Sequence, residues 1–267
     1  MNIQADCYDL VIGLGEIGKP LLDILSQSYQ IYGRDIETIN RDWDVNVLHI
    51  CYPYEIENFV GTTVDYIKEY RPSITIIHST IVPGTARKIS DQVNSAVSYS
   101  PVRGKHTKMR QDLLSYSKYV AGITPAAAEF SMDHLARAGF KVKQFSSCEA
   151  LEMAKLIETT YFGLLISWSQ EVERFCEQVN ADYNEVMMLT QDISYLPPVV
   201  FQPGYIGGHC VIPNTYLLDK VRRSAFIDLI RDSNEQKKEQ WIKEGRDLKE
   251  RIGPRSIDGR GGSSFER

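Results

Sequence analysis

The stretch Leu10-Val11-Ile12-Gly13-Leu14-Gly15-Glu16-Ile17-Gly18 constrains this chain more than any other. An apolar run passes into three glycines spaced G-x-G-x-x-G, and an amphipathic pattern continues through Leu25. Glycines at that spacing permit a tight strand-to-helix turn, let the backbone approach a pyrophosphate, and allow the helix to pack close to its strand. The helix N-terminus then presents N–H groups and the positive end of a dipole to the phosphates. A second apolar strand, YQIYGRD, ends on Asp35, about twenty residues further on, where a carboxylate can hydrogen-bond the adenosine ribose. Strand, glycines, helix, strand and acid in that order point to a bound dinucleotide. The cofactor-binding candidates on this unit are Gly13, Leu14, Gly15, Glu16, Ile17, Gly18 and Asp35. Asp35 favours NAD, since a carboxylate repels the 2′-phosphate of NADP. Arg34 could swing toward such a phosphate, and the simpler reading makes it a solvent-facing strand end.

The alternation persists. VNVLHICYP, SITIIHST, AVSYSPV, KYVAGI and KVKQF read as strands, with helices at TTVDYIKEY, in the segment into Ser90, and at PAAAEFSMDHLARAG. Strands alternating with helices make an α/β, doubly wound, Rossmann-like parallel sheet, expected over residues 1–145. Ligands bind such sheets at the carboxyl ends of the strands, which singles out Tyr52, Ser79, Thr80, Pro101 and Val102. His49 and His78, inside apolar strands, read as satisfied core or pocket-rim histidines.

At Ser146 the pattern changes. Ser146 stands three before Glu149 as a capping box, and a long helix follows to about Val179. From Tyr161 to Trp168 it is apolar almost all round, which suits burial on several sides and a homodimer through this helix. Asn180-Ala181-Asp182 breaks it, YNEVMMLTQ makes a short helix, Pro197 to Pro213 reads as a loop, and TYLLDKVRRSAFIDLIRD returns to helix. An all-α domain is thus expected over 146–232, then a solvated charged helix and a mobile tail over 233–267.

Formal net charge is -5 over 267 residues, so no basic field points to nucleic acid or an anionic membrane. No signal-like or membrane-spanning run is visible, and five scattered cysteines form no Cys-x-x-Cys pair. Neither a disulfide framework nor a metal site is suggested, and a reducing cytoplasm is the natural setting. The expected partner is a small-molecule substrate.

With VIGLGEIGKPL, HSTIVPGT, AKLIETTYFGLLISWSQEVERFCEQVNAD and PGYIGGHCVIPNTYLL in register from about residue 8 to 220, the chain resembles the NAD-dependent nucleotide-sugar 6-dehydrogenases. That group oxidises UDP-glucose, GDP-mannose or UDP-N-acetylmannosamine to the uronic acid. The resemblance implies that Lys155 and Cys210 work at the reacting carbon, with Thr159 and Asn214 beside them and Val102, Gly207, Gly208 and His209 against the substrate. A thiolate can hold the intermediate aldehyde as a thiohemiacetal until a second hydride transfer gives a thioester, and a lysine can stabilise the oxyanion. Read without the resemblance, Lys155 could simply pair with Glu152 or Glu158, and Cys210 could be a packing residue.

The chain departs from the family where the chemistry lies. Thr159 replaces an asparagine, Asn214 an aspartate, and Ser100-Pro101-Val102 lacks the glutamate that assists thioester hydrolysis. The family's C-terminal nucleotide-binding domain is not expected from the charged stretch after Asp232. An NAD-linked oxidation of a sugar nucleotide or smaller alcohol is therefore expected, against a cofactor-binding protein without turnover or half of a split enzyme.

Overall fold

The computed structural model describes residues 7–37, 43–104, 106–190, 201–208 and 210–248, and the chain forms two compact units, 1–155 and 156–267.

The first unit is built on strands β1 (Cys7–Ile12), β2 (Ile31–Arg34), β3 (Asp44–Ile50), β4 (Ile74–Ile77), β5 (Ala96–Tyr99), β6 (Ser117–Gly122) and β7 (Lys141–Gln144). They form one sheet in the order β2-β1-β3-β4-β5-β6-β7. The helices are α1 (Gly18–Leu25), α2 (Phe59–Tyr70), α3 (Thr85–Ser90), α4 (Met109–Ser115) and α5 (Pro125–Arg137). Strands of continuous Val, Ile and Leu need cover on both faces. One apolar cluster joins the sheet to α2 and α3 through Phe59, Val64, Ile67, Ala86 and Ile89. Another joins it to α1, α4 and α5 through Leu21, Ile24, Met109, Leu113 and Leu135.

One part of the expected sheet is corrected. β1 to β5 are parallel, but β6 runs antiparallel to β5, with Ser98 opposite Gly122 and Tyr99 opposite Ala121. The segment from Ser100 to Tyr116 carries α4 but no crossover to the far end of the sheet, so the next strand must run back. A crossover through α5 then makes β7 parallel to β6. Thr124 caps α5 by accepting from Ala127 N–H, and Pro125 opens it.

The helix α6 (Cys148–Val179) begins in the first unit and supplies the second. Its cap is Ser147, whose hydroxyl accepts from Ala150 N–H at 3.1 Å, one residue later than the expected Ser146. The units part at Lys155, inside this helix, rather than at residue 145. The second unit continues with α7 (Tyr183–Met188), α8 (Val211–Asp219) and α9 (Ala225–Lys243). Pro213 therefore lies in the first turn of a helix, where proline is tolerated, and not in a loop. The expected helix over 215–232 is two helices, divided at Lys220–Ser224. Nor does a domain end at Asp232. α9 runs through it and buries Ile230, Ser233, Asn234, Lys237 and Trp241, so the charged stretch is half core. The buried Lys237 pairs with Glu173 of α6. Residues 191–200, His209 and the expected tail after residue 248 lie outside the described residues. No helix among the described residues is long and apolar enough to cross a membrane.

Candidate functional site

Strand order reverses around β1, which has β2 on one side and β3 on the other, so a crevice opens at the carboxyl ends of β1 and β3. The glycine turn fills that position. Gly13 has φ +93°, and a Cβ on it would lie 2.6 Å from Tyr52 N, so the turns after β1 and β3 touch there. A Cβ on Gly18 would lie 1.8 Å from the carbonyl oxygen of Gly13, which holds α1 against β1. By contrast, nothing lies within 4 Å of where a Cβ on Gly15 would stand, so the middle of the turn is open to a ligand. Ile17, at the N-cap of α1, makes no side-chain cap, and the first N–H groups of the helix carry no side-chain acceptor from that position. Asp35, exposed just past β2, accepts from Leu14 N–H at 3.4 Å and brings its carboxylate to the rim of the turn. Glu16 is exposed beside it.

Arg34 is not a solvent-facing strand end. It is buried, donates to Glu69 at 2.9 Å, to Tyr70 and to Glu37 O at 3.1 Å, and stacks over the Tyr66 ring. Burial works against its charge, and its phenol and carboxylate partners outweigh that, holding its pKa above the ordinary value. The turns past β3 and β4 are tied together by Ser79, whose hydroxyl donates to Tyr52 O at 2.6 Å. Thr80 is half-buried next to it.

Sequence reading missed the residue that fixes the following loop. Glu152, fully buried on α6, accepts from Gly84 N–H at 2.6 Å and Ala86 N–H at 2.9 Å, clamping the Pro83-Gly84-Thr85 turn onto α3. Burial raises its pKa and the two N–H groups oppose that rise. Its carboxylate thus serves the loop. Glu152→Ala leaves two buried donors unpaired, and we expect a loss of about 2 kcal/mol in stability. Urea unfolding and NAD affinity measured side by side check it.

Val102 is buried in the apolar cluster with Met109 and Leu113, and its side chain belongs to the core of the first unit rather than to an open surface. Lys155 is half-buried, on the same face of α6 as Glu152 and Thr159 by three- and four-residue spacing.

In the second unit, Gly207 and Gly208 are exposed, with Gly208 at φ +84°, and the turn delivers Cys210 to the N-cap position of α8. Cys210 is an exposed thiol at the N-terminal end of the nine-residue α8. One turn further along, Asn214 is buried and donates through Nδ2 to Thr159 Oγ1 at 2.8 Å. Two of the three positions that depart from the resembled pattern are therefore bonded to one another. Two clamps on this loop were also missed. Gln170 of α6 donates to Gly204 O at 2.6 Å. Asn234 of α9 accepts from Ile206 N–H at 2.7 Å and donates to Ile206 O at 3.2 Å, like a peptide in a sheet. The spacing of Asn234 in a charged run gave no signal of that role. Gly163 lets α6 pass α8 closely, since a Cβ there would lie 2.5 Å from Val211 Cγ1.

Comparison with known proteins agrees with this arrangement. UDP-N-acetyl-D-mannosamine dehydrogenase of Methanococcus vannielii is 26% identical over 282 residues, covering 85% of this chain and 64% of that protein. The chain thus spans just under two thirds of that relative's length. UDP-N-acetyl-D-glucosamine 6-dehydrogenase of Salmonella typhi is 24% identical, covering 78% of this chain and 61% of that one. The solved UDP-D-ManNAc dehydrogenase of Pyrococcus horikoshii shares the fold with a TM-score of 0.73 at 22% identity, over 89% of this chain and 72% of that chain. A 3-hydroxyisobutyrate dehydrogenase of Mycobacterium tuberculosis shares it with a TM-score of 0.65 at 13% identity, over 90% and 94%. Residues 149–236, which carry Lys155, Thr159, Cys210 and Asn214, match the central domain of the UDP-glucose/GDP-mannose dehydrogenase family.

Proposed function

We propose that this protein is an NAD-dependent oxidoreductase that removes hydride from the hydroxyl-bearing carbon of a sugar nucleotide, with Lys155 and Cys210 at the reacting centre. The observation that carries the reading is that one chain holds both an open glycine turn at the sheet's switch point and, in a segment matching a dehydrogenase family, a cysteine at the N-terminus of α8. The names of the relatives point to a UDP-N-acetylhexosamine as substrate.

NAD rather than NADP is supported by two neighbours. Asp35 offers a carboxylate to the ribose hydroxyls, and Arg34, the cation that a 2′-phosphate would need, is held by Glu69 and Tyr70. Bound NAD would supply the hydride acceptor for the alcohol carbon, and the hydroxyl proton would leave to a base. Lys155 supplies a positive charge for the developing oxyanion. The Cys210 thiolate would add to the aldehyde and hold it as a thiohemiacetal, from which loss of a second hydride to NAD would leave a thioester. Water then releases the acid. His209, adjacent in sequence to the thiol, is assigned to the substrate on the resemblance alone.

The test is NADH formation across UDP-N-acetylmannosamine, UDP-N-acetylglucosamine, UDP-glucose and small hydroxy acids. Reduction of NAD by one of the UDP sugars supports the reading. Tight NAD binding with no reduction by any of them makes the chain a cofactor-binding protein.

The same reading includes a homodimer along α6. Ile157, Tyr161, Trp168, Phe175 and Val179 are all exposed in the single chain, with Trp168 at 57% and Phe175 at 59%. Tyr161, Trp168 and Phe175 recur every seven residues, which places them on one stripe. Trp168→Lys is expected to halve the mass seen by light scattering. An unchanged mass would remove α6 as the interface.

A further inference from the structure

Away from the cofactor crevice, three polar side chains converge in the core of the first unit. Asp9 comes from β1, His49 from β3 and His134 from α5; they are 3%, 0% and 5% exposed. One ligand atom from each lies within 4.8 Å of the others. Asp9 Oδ2, His49 Nε2 and His134 Nε2 are buried and make no hydrogen bond, although the corresponding side chains hold a Coulombic contact of 3.5 Å between Asp9 Oδ2 and His134 Nε2. Three such atoms aimed at one another are costly unless something satisfies them together.

The tautomers follow from the bonds. His78 Nδ1 lies 2.8 Å from Ser100 O, a group that only accepts, so the proton sits on Nδ1 and neutral His78 has a bare Nε2. That nitrogen accepts from His49 Nδ1–H at 3.0 Å. His49 is then left with an unprotonated Nε2, its lone pair turned into the cluster. The hydrogen bond at the other ring nitrogen, which orients a ligand histidine, is thus already in place. Zinc bonds of about 2.0–2.2 Å set ligand atoms about 3.4 Å apart, and the Asp9–His134 separation of 3.5 Å has that spacing.

We propose that Asp9, His49 and His134 form a buried site for a divalent transition metal of the zinc class, pinning α5 to the β1–β3 pair. Two imidazoles and a carboxylate suit zinc, with an oxygen from water completing four ligands. The environment agrees with the geometry. Burial lowers the pKa of His134 to about 4 and that of His49 well below its ordinary value, so both rings are neutral, the form that ligates. Burial also raises Asp9 to about 7, partly opposed by Val47 N–H, and a cation would restore its ionised form. The groups facing the trio are His78, Lys118, Arg137 and the Tyr29 ring stacked on His134. Lys118 is the competing charge, and its ammonium is turned to Ser100 O and Pro101 O.

A site this enclosed fills during folding, so the full chain should be refolded with Zn²⁺ and passed over a desalting column with a weak chelator. About one zinc per chain is expected to remain, and at least tenfold less in His134→Gln and Asp9→Asn. Zinc-edge X-ray absorption on the parent should show only nitrogen and oxygen neighbours, imidazole among them. That measurement stands even where the variants do not fold. Retention of no zinc by the parent, a sulfur neighbour, or equal zinc in the variants would overturn the assignment and leave the trio to a bound water.

Discussion

Mixed with excess NAD and the UDP sugar proposed as its substrate, the protein should release a burst of two NADH per chain and then turn over slowly, with the acyl group held on Cys210. Two hydride transfers precede hydrolysis, so both reduced cofactors form before the slow step. The expectation rests on what stands at the hydrolytic positions. Val102 is packed into the core and cannot activate water, and Asn214 is amide rather than acid and is bonded to Thr159. General-base assistance is worth about 10²–10⁴ in rate, which sets the size of the lag. Intact-mass measurement of the quenched protein should show the acyl adduct, lost in Cys210→Ala.

The variants separate the steps. Lys155→Met should lower the burst rate by about 10²–10⁴, because the oxyanion loses its cation while the thiol remains. Cys210→Ala should stop after one NADH, with aldehyde in solution. One NADH per substrate from the parent itself, indifferent to Cys210, would reduce the protein to a simple alcohol dehydrogenase and sink the thioester. Steady release of two NADH without a burst would show that a base not on the Ser100–Val102 segment activates the water.

The glycine turn was legible because its chemistry is local: each glycine answers a constraint within a few residues, and φ +93° at Gly13 and the 1.8 Å approach at Gly18 are what the spacing implied. The long helix was legible for the same reason, to within one residue at its cap. Arg34 was misread because its partners, Glu69 and Tyr70, sit on α2 and are brought to it only by the fold. The direction of β6 was invisible, since an apolar run looks alike whichever way it points. Thr159 and Asn214 looked like two separate losses. Their hydrogen bond, across 55 residues of sequence, joins them in the fold. Glu152, Gln170 and Asn234 escaped notice because a polar residue that clamps backbone has no motif.

The reversal of β6 has its own consequence, which gives the second large expected effect: Lys118 should add to the stability of the first unit as pH goes from 7 to 9, and Lys118→Met should abolish that gain. Because β6 runs back from the carboxyl end of β5, Lys118 is carried across from Ser100 and Pro101 and donates to their carbonyls at 2.9 and 3.4 Å. It is buried beside the Phe140 ring, with Cys51, Lys155 and the His49–His78 pair as its titratable neighbours. Burial drives its pKa from 10.5 down to about 7; Cys51 opposes the drop and Lys155 adds to it. In the unfolded chain Lys118 stays protonated up to about 10.4. Between 7 and that value the unfolded state therefore binds one more proton than the folded state, and stability increases by about 1.4 kcal/mol per pH unit. Below pH 7 both states are protonated and the penalty is constant. From about pH 8, where unfolded thiols ionise, the buried Cys51 and Cys148, both raised to about 12 by burial, contribute with the opposite sign. Asp9, raised to about 7, does the same just above pH 7, so the comparison of parent with Lys118→Met is what isolates Lys118. The Lys118 contribution from pH 7 to 9, read as the difference between the parent and Lys118→Met profiles, should be about 2.5 kcal/mol. Urea unfolding followed by circular dichroism at several pH values measures it. An unchanged slope in Lys118→Met would show that the ammonium keeps its charge in the folded protein.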